Sequence, residues 1–120
     1  MPIIKGEFKF PFFIGYKGKD MKVKEGVNIF GIDMRMRQAL IVADRIYKKY
    51  GRVEGVTVTS ALDGEHSPRS LHYYGLAIDI RTRYFTSEEL SSVFDELIVS
   101  LSAQYEVILE KTHIHIEAKL

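Results

Sequence analysis

The chain has 120 residues, 46% of them apolar, which is enough for one hydrophobic core and too little for two, so a single domain over residues 1–120 is expected. Its 17 basic and 16 acidic side chains leave a formal charge of +1, without the basic excess of a nucleic-acid binder, and no nucleic-acid partner is expected. The absence of cysteine excludes a disulfide scaffold and a thiolate metal site, and no window approaches the roughly eighteen apolar residues of a membrane span.

Residues 1–30 hold two short apolar runs, Phe8 to Ile14 and Met21 to Phe30, on either side of Gly15-Tyr16-Lys17-Gly18-Lys19-Asp20. This predicts an N-terminal extended arm or hairpin. The period then becomes helical: Ile32, Met36, Ala39, Leu40, Ala43, Ile46, Tyr47 and Tyr50 form one stripe, with Asp44 and the basic residues largely off it. A helix at about 33–50 follows, closed by Gly51. Val56–Thr59 is a β-branched strand, and Leu76–Arg81 a second one that places Ala77, Asp79 and Arg81 on one face. Thr86-Ser87-Glu88-Glu89 is a capping box opening a helix to about residue 104, with a stripe of Leu90, Val93, Phe94, Leu97, Ile98 and Leu101.

Tyr105–Glu110 and His113–Ala118 read as a hairpin about Lys111-Thr112. In that register Glu110 faces His113, Ile108 faces His115 and Glu106 faces Glu117, all on one side, while Val107, Leu109, Ile114 and Ile116 pack on the helices. The fold expected is α+β: an antiparallel sheet of these four strands backed by two helices, with the opposite face of the sheet open.

All four histidines fall in two clusters, His66 and His72 before Asp79, and His113 and His115 near the C-terminus. Imidazole and carboxylate are the ligands that zinc takes when thiolates are absent. His72 and Asp79 with one hairpin histidine would make three protein ligands and one open position, the catalytic arrangement. His66 falls outside the ligand spacing and reads as a loop residue that orders the site.

Ser70-Leu71-His72, Gly75-Leu76-Ala77-Ile78-Asp79 and Glu110-Lys111-Thr112-His113 together resemble the zinc D-Ala-D-Ala carboxypeptidases and dipeptidases and the phage endolysins that are L-alanyl-D-glutamate peptidases. The resemblance spans roughly residues 30 to 118. It implies Zn2+ held by His72, Asp79 and His113, the histidine whose acid partner Glu110 is intact, with His115 the alternative ligand. Glu110 would be the general base and His115 a catalytic group stabilising the oxyanion, while Ser70, Arg69 and Tyr73 would contact substrate. The activity implied is cleavage of a peptide bond in peptidoglycan stem peptides, with a non-catalytic wall-binding or structural module as the alternative. Residues 1–6 lack an apolar leader core, so synthesis in the cytoplasm and action on the cell wall, after phage-assisted release or in a virion, is the expectation.

Two positions depart from the family. The arginine of a Ser-Gly-Tyr-Arg-type segment is missing from Thr59-Ser60-Ala61-Leu62-Asp63-Gly64, leaving Arg69 or Arg81 to replace it. Thr112 stands three residues before His115, where some members carry an aspartate.

Overall fold

The computed structural model describes residues 7–9, 21–62 and 70–120. Six strands form one sheet in the order β1-β2-β3-β4-β6-β5, where β1 is Glu7–Lys9, β2 Lys22–Lys24, β3 Thr57–Ser60, β4 Ala77–Arg81, β5 Tyr105–Leu109 and β6 His113–Ala118. Two helices, α1 (Met34–Lys49) and α2 (Ser87–Leu101), complete the architecture. No helix among the described residues is long and apolar enough to cross a membrane.

The fold is α+β, but the sheet is mixed rather than antiparallel. β3, β4, β6 and β5 pair antiparallel, as the alternation predicts, whereas β2 lies parallel to β3. Parallel neighbours need a crossover of a dozen or more residues, and α1 supplies it. β1 then pairs antiparallel with β2 and forms the edge of the sheet. The rest of the first apolar run and the Gly15–Asp20 segment, residues 10–20, lie outside the described residues.

Local chemistry explains both helices. Asp33 caps α1, its carboxylate accepting the Arg35 N–H at 2.9 Å, and the helix closes at Tyr50 before Gly51, whose φ of +93° suits only glycine well. The capping box of α2 is complete: the Thr86 hydroxyl accepts from Glu89 N–H and the Glu89 carboxylate accepts from Thr86 N–H. The apolar stripes of both helices cover one face of the sheet, burying Met36, Leu40, Tyr47, Val93 and Leu97 against Val58, Ile78, Ile80, Ile114 and Ile116. That leaves Asp79, His113, His115 and Glu117 on the other face.

Two expectations fail in detail. Asp44, placed off the α1 stripe, is fully buried, where it accepts the Val56 N–H at 3.0 Å and pairs with Lys48 at 2.8 Å. It ties the helix to the start of β3 by meeting a backbone donor that the sheet leaves over. Leu109, assigned to the buried face of the hairpin, is 41% exposed because it is the last residue of β5, an edge strand.

Candidate metal centre

The site begins with a single 3-10 turn, Leu71–Tyr74. Ser70 caps it by accepting the His72 N–H at 3.2 Å, and Gly75, at φ +69°, ends it. A Cβ on Gly75 would lie 2.8 Å from the Gly31 carbonyl oxygen, and the Gly75 carbonyl accepts the Asp33 N–H at 2.8 Å. The turn is therefore docked against the start of α1, which fixes where the His72 side chain emerges.

His72 is 3% exposed, and its Nδ1–H donates to the Ala61 carbonyl at 2.8 Å. A carbonyl only accepts, so this bond sets the tautomer and leaves the Nε2 lone pair directed inward. Nε2 lies 3.4 Å from Asp79 Oδ1 and 3.3 Å from His115 Nδ1. Asp79 on β4 and His115 on β6 are direct cross-strand partners, and His115 Nδ1 is 2.9 Å from Asp79 Oδ1. On its other side the His115 ring places Nε2 2.7 Å from Glu117 Oε1, a carboxylate that draws the ring's proton to Nε2.

The consequence is electrostatic. With both outer ring nitrogens committed as donors, two nitrogen lone pairs and one carboxylate oxygen converge with no hydrogen between them. Such a group needs a cation, either a metal ion or a second proton on an imidazole. Without metal the proton goes to His115: its hydrogen bond to Asp79, acting against burial and helped by Glu117, pushes its pKa up to about 9. Burial resists the charge on Asp79, but its hydrogen bonds with the His115 and His72 rings and the neighbouring imidazoles hold its carboxyl well below the usual carboxylate range.

The spacing also suits a metal. The three donor atoms lie within 4.8 Å of one another. A tetrahedral ion with bonds of about 2.0–2.1 Å requires donors about 3.3 Å apart, and the separations here are 2.9, 3.3 and 3.4 Å. The donor chemistry, two imidazoles and a carboxylate, fits zinc among other divalent ions.

The histidine that joins His72 and Asp79 is thus His115, not His113 as expected. Both lie on one face of β6, and the β4–β6 pairing decides between them: Asp79 stands opposite His115 and Arg81 opposite His113. His115 is therefore part of the donor group rather than a catalytic group beside it. His113 flanks the group, its Nε2 3.6 Å from Asp79 Oδ2 and 3.4 Å from Glu110 Oε2, and its Nδ1 3.1 Å from the Thr112 hydroxyl. Glu110 sits half-exposed at the lip of the hairpin, its N–H donating to the His113 carbonyl at 2.9 Å. Ser70 is committed to capping the turn of His72. Arg69, His66 and the side chain of Tyr73 lie outside the described residues, and Tyr74 is 69% exposed.

Two contributors carried little sequence signal. Glu117 reads as a solvated strand residue, although its spacing of two from His115 on a strand places it on the same face. Ala61 acts through its carbonyl, which no side-chain pattern reveals. No protein-family model, curated protein or solved structure matches this chain.

Proposed function

We propose that this chain is a zinc-dependent peptidase that cleaves peptidoglycan stem peptides in the bacterial cell wall. The observation that carries the reading is the convergence of His72 Nε2, Asp79 Oδ1 and His115 Nδ1, a carboxylate and two imidazoles whose outer nitrogens are engaged by Ala61 and Glu117, a group that calls for a cation. The resemblance of the Ser-x-His and Gly-x-Ala-x-Asp segments to wall peptidases supplies the substrate class.

Zinc held by these three residues would supply a Lewis acid and lower the pKa of a water toward ~7. The chain's own groups do the rest. His72 and His115 are each held by an acceptor behind the ring, which keeps both rings oriented and raises their basicity. Glu110, on the open side, accepts the proton of the attacking water and returns it to the leaving amine. His113, whose Nε2 stands near Glu110 and Asp79, would donate to the developing oxyanion, the part expected of His115. Arg69 and Tyr73, close to the donor His72 in sequence, are the proposed substrate contacts, while Ser70, whose hydroxyl accepts the His72 N–H, holds the turn.

A non-catalytic wall-binding module is the second reading, and one observation favours it. With His115 in the donor group, the residue three positions before it is Thr112, where some relatives of this motif carry an acid. Digestion of purified cell walls, followed by mass spectrometry of the fragments, separates the two. Chelator-sensitive release of stem-peptide products supports the peptidase, and wall binding without any new fragment supports the module.

A further inference from the structure

Beside the donor group the open face of the sheet carries a groove of about 380 Å³ whose lining includes Lys24, Thr59, Arg81, Arg83, Lys111 and Thr112. Four cationic side chains and threonine hydroxyls line it, with no acidic residue among the described ones. Their convergence follows from the sheet: the β2–β3 pairing of Val23 with Val58 brings the next residues, Lys24 and Thr59, to the same end of the sheet, and the β4–β6 pairing sets Arg81 against His113. Lys111 and Thr112 come from the hairpin turn, and Arg83 from the chain just beyond β4. Lys24, Arg83 and Lys111 are exposed and form no ion pair with a described residue. The near-neutral balance of the whole chain makes this local excess of positive charge notable.

We infer that this groove is an oxyanion subsite, binding a carboxylate or phosphate group carried by the ligand that the adjacent donor group engages. Three features support it. Guanidinium, ammonium and hydroxyl groups are the donors that oxyanions require. His113 joins the two regions, its Nδ1 3.1 Å from Thr112 Oγ1 in the groove and its Nε2 3.6 Å from Asp79 Oδ2 in the donor group. Arg81 is two residues along β4 from Asp79, about 7 Å at roughly 3.3 Å per residue, a span that two extended peptide units cover. The inference deepens the peptidase reading and rests on it for the ligand's second contact. Anion binding itself needs neither metal nor turnover.

The test uses the full chain stripped of metal, so that turnover does not intrude. Three probes are compared: a dansylated trialanine with a free C-terminal carboxylate, the same peptide as its C-terminal amide, and glycerol phosphate as a competitor. Binding is read by fluorescence anisotropy for wild type, for Arg83→Gln/Lys111→Gln, and for Lys119→Gln, a cation outside the groove. The double variant should weaken binding of the oxyanion probe roughly tenfold or more, leave the amide unchanged, and behave unlike Lys119→Gln. Loss confined to the carboxylate peptide identifies a peptide terminus as the ligand group, and loss confined to glycerol phosphate identifies a phosphate ester. Either supports the subsite. Equal binding of every probe by wild type and double variant, or an equal loss in Lys119→Gln, overturns it. Failure of the metal reading shows separately, as absence of zinc uptake by the wild type.

Discussion

Replacing each hairpin histidine in turn gives the most direct measure of the site. His115→Ala removes one of three donors whose separations of 2.9, 3.3 and 3.4 Å match the edge of a tetrahedral site. His113→Ala removes a ring whose Nε2 stands 3.6 Å from Asp79 Oδ2. Loss of an outer partner costs about 10–100-fold in metal affinity, and loss of a ligand more than that. Zinc affinity, measured by competition with a chromophoric chelator, should therefore fall by more than about 100-fold in His115→Ala and by about tenfold or less in His113→Ala. Glu117→Gln, which weakens the acceptor behind His115, should fall between them. Retention of zinc by His115→Ala together with its loss from His113→Ala would refute the assignment, because the β4–β6 pairing would then not select the ligand.

If Glu110 is the base, Glu110→Ala should retain zinc while turnover on cell-wall fragments drops by about two to four orders of magnitude; an unchanged rate would move the role elsewhere. The His115 pKa is raised from 6.5 to about 9, so its contribution to the metal-free fold is fully present below pH 6.5 and is lost as pH rises through 9. Melting temperatures of the metal-free protein should accordingly decline over that window, and zinc uptake at pH 7 should release a proton into a weakly buffered indicator solution. Asp79 acts in the opposite direction: its depressed pKa stabilises the fold above the ordinary carboxylate range, a contribution that acid removes, as an acid titration followed by circular dichroism will show. Gly75→Ala forces a Cβ to 2.8 Å from the Gly31 carbonyl oxygen at a φ of +69°, and should both lower the melting temperature and weaken zinc binding, since the same turn carries His72. A variant as stable and as zinc-competent as wild type would show that the turn is not docked as described.

Local patterns were readable wherever one face is buried. Alternation in β5 and β6 placed Glu106 opposite Glu117 and Ile108 opposite His115, as the pairing has it, because a slip of one residue would turn Ile114 and Ile116 out to solvent. The stripe of α1 and the capping box of α2 were readable for the same reason: periodicity and short-range hydrogen bonds are written within a few residues. The choice between His113 and His115 was not. It depends on how β6 aligns with β4, two strands separated in sequence by α2 and β5, and both alignments keep the same faces buried. The intact Glu110-x-x-His113 spacing pointed to the wrong neighbour of Asp79 because sequence spacing along β6 says nothing about what lies across from it. The parallel partner of β3 was missed because a three-residue strand, Lys22–Lys24, carries too few alternations to declare itself, and the buried Asp44 because its partner is a backbone amide.

Asp79 and His115 stand on β4 and β6, strands with hydrogen-bonded neighbours on both sides, whereas His72 rests on one 3-10 turn held by Ser70, the Gly75 carbonyl and the Ala61 contact. Opening the strand pair means disrupting the middle of the sheet, while lifting the turn breaks only a few bonds. The two halves of the donor group are therefore held unequally, and the expected route for an ion into and out of the group is an excursion of the turn, with the strand-borne pair kept in place. The exchange rate of a bound ion should then follow the hydrogen-exchange opening of the Leu71–Tyr74 amides and be independent of global unfolding.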